Sequence, residues 1–232
     1  MTDPTTSNGP LLIGYDGSAE AGRAIDVAAA LLIPTDAVVL DVAPLLTPGE
    51  SLAGVGLPVS SAAAYGGLNS ADAAQRAEAG AVLARAARLH AHACVRTTEP
   101  RWQGIVETAR EIDAAAIVLG SGRLPGVADD VARHTDRPLL IVPRRARKQI
   151  GEGPTLFVYD GSEDDWRAIE AAHVLVRSAD AVVLNAGDTE TWRALADDID
   201  PALLVVGSLG GTVARSLADR PVLVARPYGA DA

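Results

Sequence analysis

Aromatic side chains are scarce in this chain of 232 residues: one Phe, four Tyr and three Trp, 3% in all. A core of useful size must therefore be built from Val, Leu, Ile and Ala, as in parallel sheets buried on both faces. Cysteine is almost absent. The single Cys94, inside the apolar run AHACVRT, excludes an intrachain disulfide framework and points to a reducing compartment. Its expected role is that of a buried structural thiol. Lysine occurs once, at Lys148, and 30 acidic residues against 20 basic ones leave a net charge of −10. That balance speaks against nucleic acid and anionic membranes as partners. No apolar run approaches the ~20 residues of a membrane span. The polar start MTDPTTSNGP has neither the basic nor the apolar region of a signal peptide. A cytoplasmic chain is the expectation.

What the chain does contain is a repeat of itself. PLLIGYDGSAEAGRAIDVAAALL at 10–32 matches PTLFVYDGSEDDWRAIEAAHVLV at 154–176. The segments at 35–42 and 178–186, at 114–122 and 201–209, and at 136–143 and 219–226 then match in the same order. Four matched segments in one order mark a tandem duplication. Apolar strand runs alternate with helical periodicity, the pattern of βαβ units on a parallel sheet. In the first repeat the pattern predicts strands near 10–15, 37–42, 93–98, 115–120 and 138–142. Helices are expected near 18–33, 71–92, 103–112 and 127–135. Ser18 and Ser162 stand where N-caps belong, and Pro138 and Pro221 open the last strands.

The second repeat is shorter and omits the counterparts of the helix at 71–92 and the strand at 93–98, leaving four strands. The basic, then glycine-rich run RRARKQIGEG at 144–153 suits a linker, and 43–70 reads as a long loop. Strand 2 of the second repeat becomes a sheet edge, which the loop at 43–70 or another chain is expected to cover.

No catalytic or metal constellation is legible. His90 and His92 fall on the predicted helix, two residues apart, and so would face different sides of it. His134 and His173 sit at helix ends, Asp129-Asp130 and Asp197-Asp198 read as solvated pairs, and Trp102, Trp166 and Trp192 read as packing or interface residues.

LLIGYDGS at 11–18 with its Arg-Ala-Ile helix, VVLDV at 38–42, the strand ending LGSG at 119–122 and ARHTDRPLLIVP at 132–143 together resemble the universal stress protein family. The resemblance implies an α/β fold of two doubly wound parallel-sheet repeats, of the adenine nucleotide alpha hydrolase-like type. The strand order would be 3-2-1-4-5 in the first repeat and four strands in the second. It implies domains at 10–143 and 154–228, after a disordered 1–9 and around a linker at 144–153. The last strands, 138–142 and 221–226, would pair as an intrachain pseudo-dimer, with a further homo-oligomer or protein partner left open. Order 3-2-1-4-5 places a switch point between strands 1 and 4, where open α/β sheets bind ligands.

ATP-binding members of the family carry Gly-x2-Gly-x9-Gly-(Ser/Thr) after the fourth strand. By position the implied nucleotide contacts are Asp16, Val42, Gly120 and Gly122 in the first repeat. In the second they are Asp160, Gly207, Gly210, Gly211 and Thr212. Both repeats depart from the motif: Gly120-Ser121-Gly122-Arg123 breaks the first pair, and Gly211-Thr212 follows Gly210 with no spacer. Nine residues span at most ~30 Å, so much of a triphosphate wall is missing. The second repeat, with Gly207 and Gly210 intact, is the better candidate for phosphate contact. The expectation is a non-catalytic stress-response protein acting through protein contacts, with no required cofactor. The alternatives are a sensor of ATP or another adenine nucleotide, and a slow nucleotide hydrolase.

Overall fold

The structure, a computed structural model, describes residues 9–44, 62–121, 126–144, 153–159, 161–177, 180–185, 194, 196–207 and 220–225. The first repeat comprises β1 (Leu11–Gly14), α1 (Ala19–Leu31), β2 (Asp36–Ala43), α2 (Ala62–Ala86) and β3 (His90–Thr97). It continues with α3 (Arg101–Glu111), β4 (Ala116–Ser121), α4 (Val127–His134) and β5 (Leu139–Pro143). The second holds β6 (Thr155–Tyr159), α5 (Glu163–His173), β7 (Ala181–Asn185), β8 (Leu203–Val206) and β9 (Val222–Val224).

The caps act as the sequence implies. Ser18 Oγ accepts from the Ala21 amide at 3.1 Å, and Ser162 Oγ accepts from the Asp165 amide at 3.2 Å. All the strands among the described residues join one sheet in the order β3-β2-β1-β4-β5-β9-β8-β6-β7. The first repeat thus has order 3-2-1-4-5, and the second runs through four strands in the matching sense. Neighbours are parallel except at β5–β9, which pair antiparallel with Leu140 opposite Leu223. A second junction lies off the sheet, where Leu32 and Val176 form an antiparallel bridge and Arg177 Nε donates to the Leu32 carbonyl. One core packs α1, α2 and α5 on one face, and the other packs α3 and α4 on the opposite face. Leu, Ile, Val and Ala fill both, with Phe157 and Tyr15 the aromatic members of the first.

Two boundaries differ from expectation. α2 covers Ala62–Ala86 rather than 71–92, so the expected loop at 43–70 loses its last residues to helix. Gly66 and Gly67 each cost about 1 kcal/mol of helix propensity. Helix growth is cooperative, however, and extends from the segment whose Ala73, Ala77, Ala81 and Ala84 are buried. At its other end α2 stops at a left-handed residue, Arg88 (φ 71°), and the Leu89 amide donates back to the Ala84 carbonyl at 3.0 Å. That closure is ordinarily written with glycine, so Arg88 hid it. His90 and His92 are in consequence strand residues. Cys94 on β3 is only half-buried, because β3 is an edge strand of the described sheet.

β7 forms the other edge. Val183, in register with Phe157, is 50% exposed, whereas its counterpart Val39 under α2 is fully buried. Of the cover expected for that edge, 62–70 belongs to α2 of the first repeat and 45–61 lies outside the described residues. So do 1–8 and 145–152.

Candidate functional site

The switch point between β1 and β4 opens into a cleft of about 100 Å³. Its walls come from six places in the chain, Ser18 and Ala21 at the start of α1 among them. Gly14 to Asp16 leave the end of β1, Leu40 to Val42 the end of β2, and Leu119-Gly120 the end of β4, while Arg101 and Ile105 of α3 and Val127-Ala128 of α4 close the sides. Asp16, Val42 and Gly120, three residues singled out by sequence, are therefore brought together. Gly122, Asp160, Gly210, Gly211 and Thr212 lie outside the described residues.

Local chemistry sets the shape of this cleft. Asp16 Oδ1 accepts from the Ser18 amide at 2.9 Å, tightening the turn between β1 and α1. Gly17, at φ +84°, completes that turn. Gly120 answers to packing: a Cβ there would lie 2.6 Å from the Glu20 carbonyl carbon and 2.9 Å from the Ala21 nitrogen. Asp41 is 4% exposed and held by Arg76 of α2, Nε to Oδ2, at 2.6 Å. The hydrogen bond to Asp41 raises the Arg76 pKa above the ordinary guanidinium value, against the opposing effect of burial. Arg101, at the rim, has no ion-pair partner among the described residues. The cleft thus joins an apolar floor to the Asp16 carboxylate, a neutralised Asp41–Arg76 pair and one exposed cation.

The corresponding place in the second repeat is built differently. Gly207 ends β8 as Gly120 ends β4, but a Cβ on it would lie 1.2 Å from Asp165 Oδ1. Asp165 is 2% exposed and stands where Ala21 stands in the first repeat. A buried carboxylate thus fills the niche before Gly207, and it disfavours a phosphate there by charge and by volume. The other residues expected to contact phosphate in this repeat, Gly210, Gly211 and Thr212, lie outside the described residues. Aligned repeats already hold the signal, an acid replacing alanine at a buried helix position. Arg76 and Arg101 carried no such signal, since neither belongs to a matched segment.

Several other candidates from the sequence have local partners. His134 stacks on Trp102 with ring centroids 4.0 Å apart, and its Nδ1 lies 2.7 Å from the Asp130 carbonyl oxygen. Asp130 pairs with Arg133, while Asp129 Oδ2 accepts from the Gly126 amide at 3.1 Å. Trp166 meets Tyr159 edge-on, and Trp192 lies outside the described residues. Among the described residues no three His, Cys, Asp or Glu side chains converge on a point that would hold a metal. None of the described helices is long and apolar enough to cross a membrane.

The universal stress protein family model matches residues 8–143. The chain belongs to the universal stress protein family. A universal stress protein from Archaeoglobus fulgidus DSM 4304 is similar over 95% of this chain and 99% of its own, at 15% identity and a TM-score of 0.70. That likeness shows the fold across both repeats. A universal stress protein family member from Burkholderia pseudomallei aligns with 60% of this chain and 99% of its own, at 20% identity and a TM-score of 0.46. A family member from Arabidopsis thaliana, solved with AMP bound, aligns with 62% of this chain and 97% of its own, at 13% identity and a TM-score of 0.45. No curated protein matches the chain.

Proposed function

We propose that this universal stress protein is a non-catalytic, cytoplasmic stress-response protein whose contacts with protein partners respond to an adenine nucleotide in the first-repeat cleft. The carrying observation is the convergence of Asp16, Val42 and Gly120 on one cleft at the β1/β4 switch point. At about 100 Å³ the cleft is small beside the roughly 300–1,000 Å³ of drug-sized ligand sites. It suits one ring system on the apolar floor, with ribose and phosphate lying outward toward Arg101. α4 opens with Gly126-Val127, and the exposed Val127 side chain has no hydroxyl to offer a phosphate. A monophosphate therefore fits this reading better than ATP.

On this reading the chain is an intrachain pseudo-dimer of domains 10–143 and 154–228, joined by a linker at 144–153, with ligand in the first only. Isothermal titration of the full chain with AMP and with ATP–Mg²⁺ tests it. AMP is expected to saturate at one per chain and ATP to bind more weakly, and Asp16→Ala is expected to weaken AMP at least tenfold. No saturable binding of either nucleotide overturns the nucleotide reading, and steady phosphate release from ATP overturns the non-catalytic one.

A further inference from the structure

The outer end of β3 carries a feature that the nucleotide cleft does not use. In HAHACVRT the first three residues alternate, His90 and His92 exposed and Ala91 between them buried, and Ala93 to Arg96 are half-buried. Ala91 and Ala93 pack toward α1 and α2, Cys94 packs toward α3, and Arg96 reaches Glu107 and Glu111 of α3. By the two-residue period of a strand, His90 and His92 share the face of Cys94 and Arg96. β3 lies at the sheet edge, so both imidazoles stand in open solvent. The helical placement expected from sequence would have separated them; the strand places them side by side.

Residues two apart on a strand are about 6.6 Å apart along its axis. Metal–nitrogen bonds of about 2.0–2.1 Å require ring nitrogens roughly 3 Å apart, a separation that two imidazoles on one strand face can reach by rotation about their side-chain bonds. Across the ladder His90 is paired with Asp36 of β2, and Asp36 Oδ1 lies 3.4 Å from His90 Nδ1. A carboxylate at Nδ1 favours the tautomer that leaves Nε2 as the outward electron-pair donor, as in carboxylate–histidine–metal arrangements. The net charge of −10 attracts cations to the surface.

The geometry points to a two-histidine site for a borderline transition-metal ion, Zn²⁺, Cu²⁺ or Ni²⁺, at the outer end of β3. His90 Nε2 and an His92 ring nitrogen supply two bonds, water completes the shell, and Asp36 acts as a positioning residue. Imidazole suits these ions, whereas Mg²⁺ and Ca²⁺ prefer oxygen ligands.

The test uses the untagged, chelator-stripped full chain. Calorimetric titration with zinc chloride is expected to show one ion per chain, and the copper(II) electron paramagnetic resonance spectrum is expected to show coupling to two nitrogens. His90→Gln and His92→Gln should each weaken zinc binding at least tenfold, and the double variant should abolish it. Asp36→Asn should weaken it about tenfold while keeping the two-nitrogen signature. His173→Gln, on α5, should change nothing. The mutated side chains are exposed, and circular dichroism of each variant verifies its fold. The proposal is overturned if no saturable binding occurs below about 100 µM zinc, if the double variant binds as wild type, or if magnesium competes equally.

Discussion

Asp41 is the clearest case of one side chain tying the cleft to the helix above it. Its carboxylate is buried, and Arg76 is the cation that compensates it. Arg76→Leu is therefore expected to cost about 1–3 kcal/mol, below the 3–5 typical of a fully buried pair because Arg76 is itself partly exposed. Asp41→Asn in that background should recover part of the loss, and urea midpoints at pH 7 read both. Gly80 of α2 presents the opposite problem, since an added Cβ would lie 2.7 Å from Tyr15 ring carbons and 2.8 Å from Val39 Cγ1. Gly80→Ala gains helix propensity of about 1 kcal/mol but forces Tyr15 off the β1 end. A net loss of roughly 1–2 kcal/mol is expected by overpacking, with the urea midpoint falling at constant slope. Asp16 and Val42, beside Tyr15 and Asp41, were singled out in the sequence at the strand ends; Asp41, Arg76 and Gly80 were not, because their roles exist only once α2 lies on β1 and β2.

Between elements, Arg96 of β3 ties that edge strand to α3, reaching Glu107 at 3.0 Å and Glu111 at 2.8 Å. The buried Ile105, Val106 and Ala109 seat α3 in the core. The hydrogen bond from Arg96 lowers the pKa of Glu111 below the ordinary Glu range. A depressed carboxylate pKa stabilises the fold above the unfolded value of about 4.3 and ceases to do so as pH falls through the lower folded pKa. The melting temperature of wild type should thus exceed that of Glu111→Gln at pH 7, and the gap should close on acidification below about pH 4. A gap that stays constant from pH 7 to pH 3 would refute this role. Most strand positions were readable from apolar runs, and β5 and β9 from the prolines before them. The end of α2 was not, because a left-handed Arg88 closes it by a tertiary fit of Leu89 into the core.

At the scale of the molecule, the nine strands of the described residues form one sheet through the antiparallel β5–β9 pair, where Leu139, Leu140, Leu223 and Val224 are fully buried. A chain ended after Pro143 would leave the β5 edge and its apolar surface bare. Such a chain is expected to form a two-fold dimer through β5, seen as a doubled mass in sedimentation, and Leu140→Lys should keep it monomeric. The full chain should not dimerise by that edge, since β9 already occupies it. Asymmetry between the repeats follows the same logic of cover: Val39 is buried under α2, and Val183 is half exposed.

The succession of strands and helices, the duplication and the family relation were determined by the sequence alone, because alternating apolar runs and matched turn residues are local signals repeated in register. The strand order came only with the family resemblance. The difference between the two strand ends was decided by tertiary structure. Gly120 and Gly207 end equivalent strands, yet one borders an open cleft and the other faces the Asp165 carboxylate. His90 and His92 likewise became neighbours only when the chain left α2 at Arg88 and entered β3. In each case a side chain's role depends on what packing places opposite it, and spacing along the chain does not encode that.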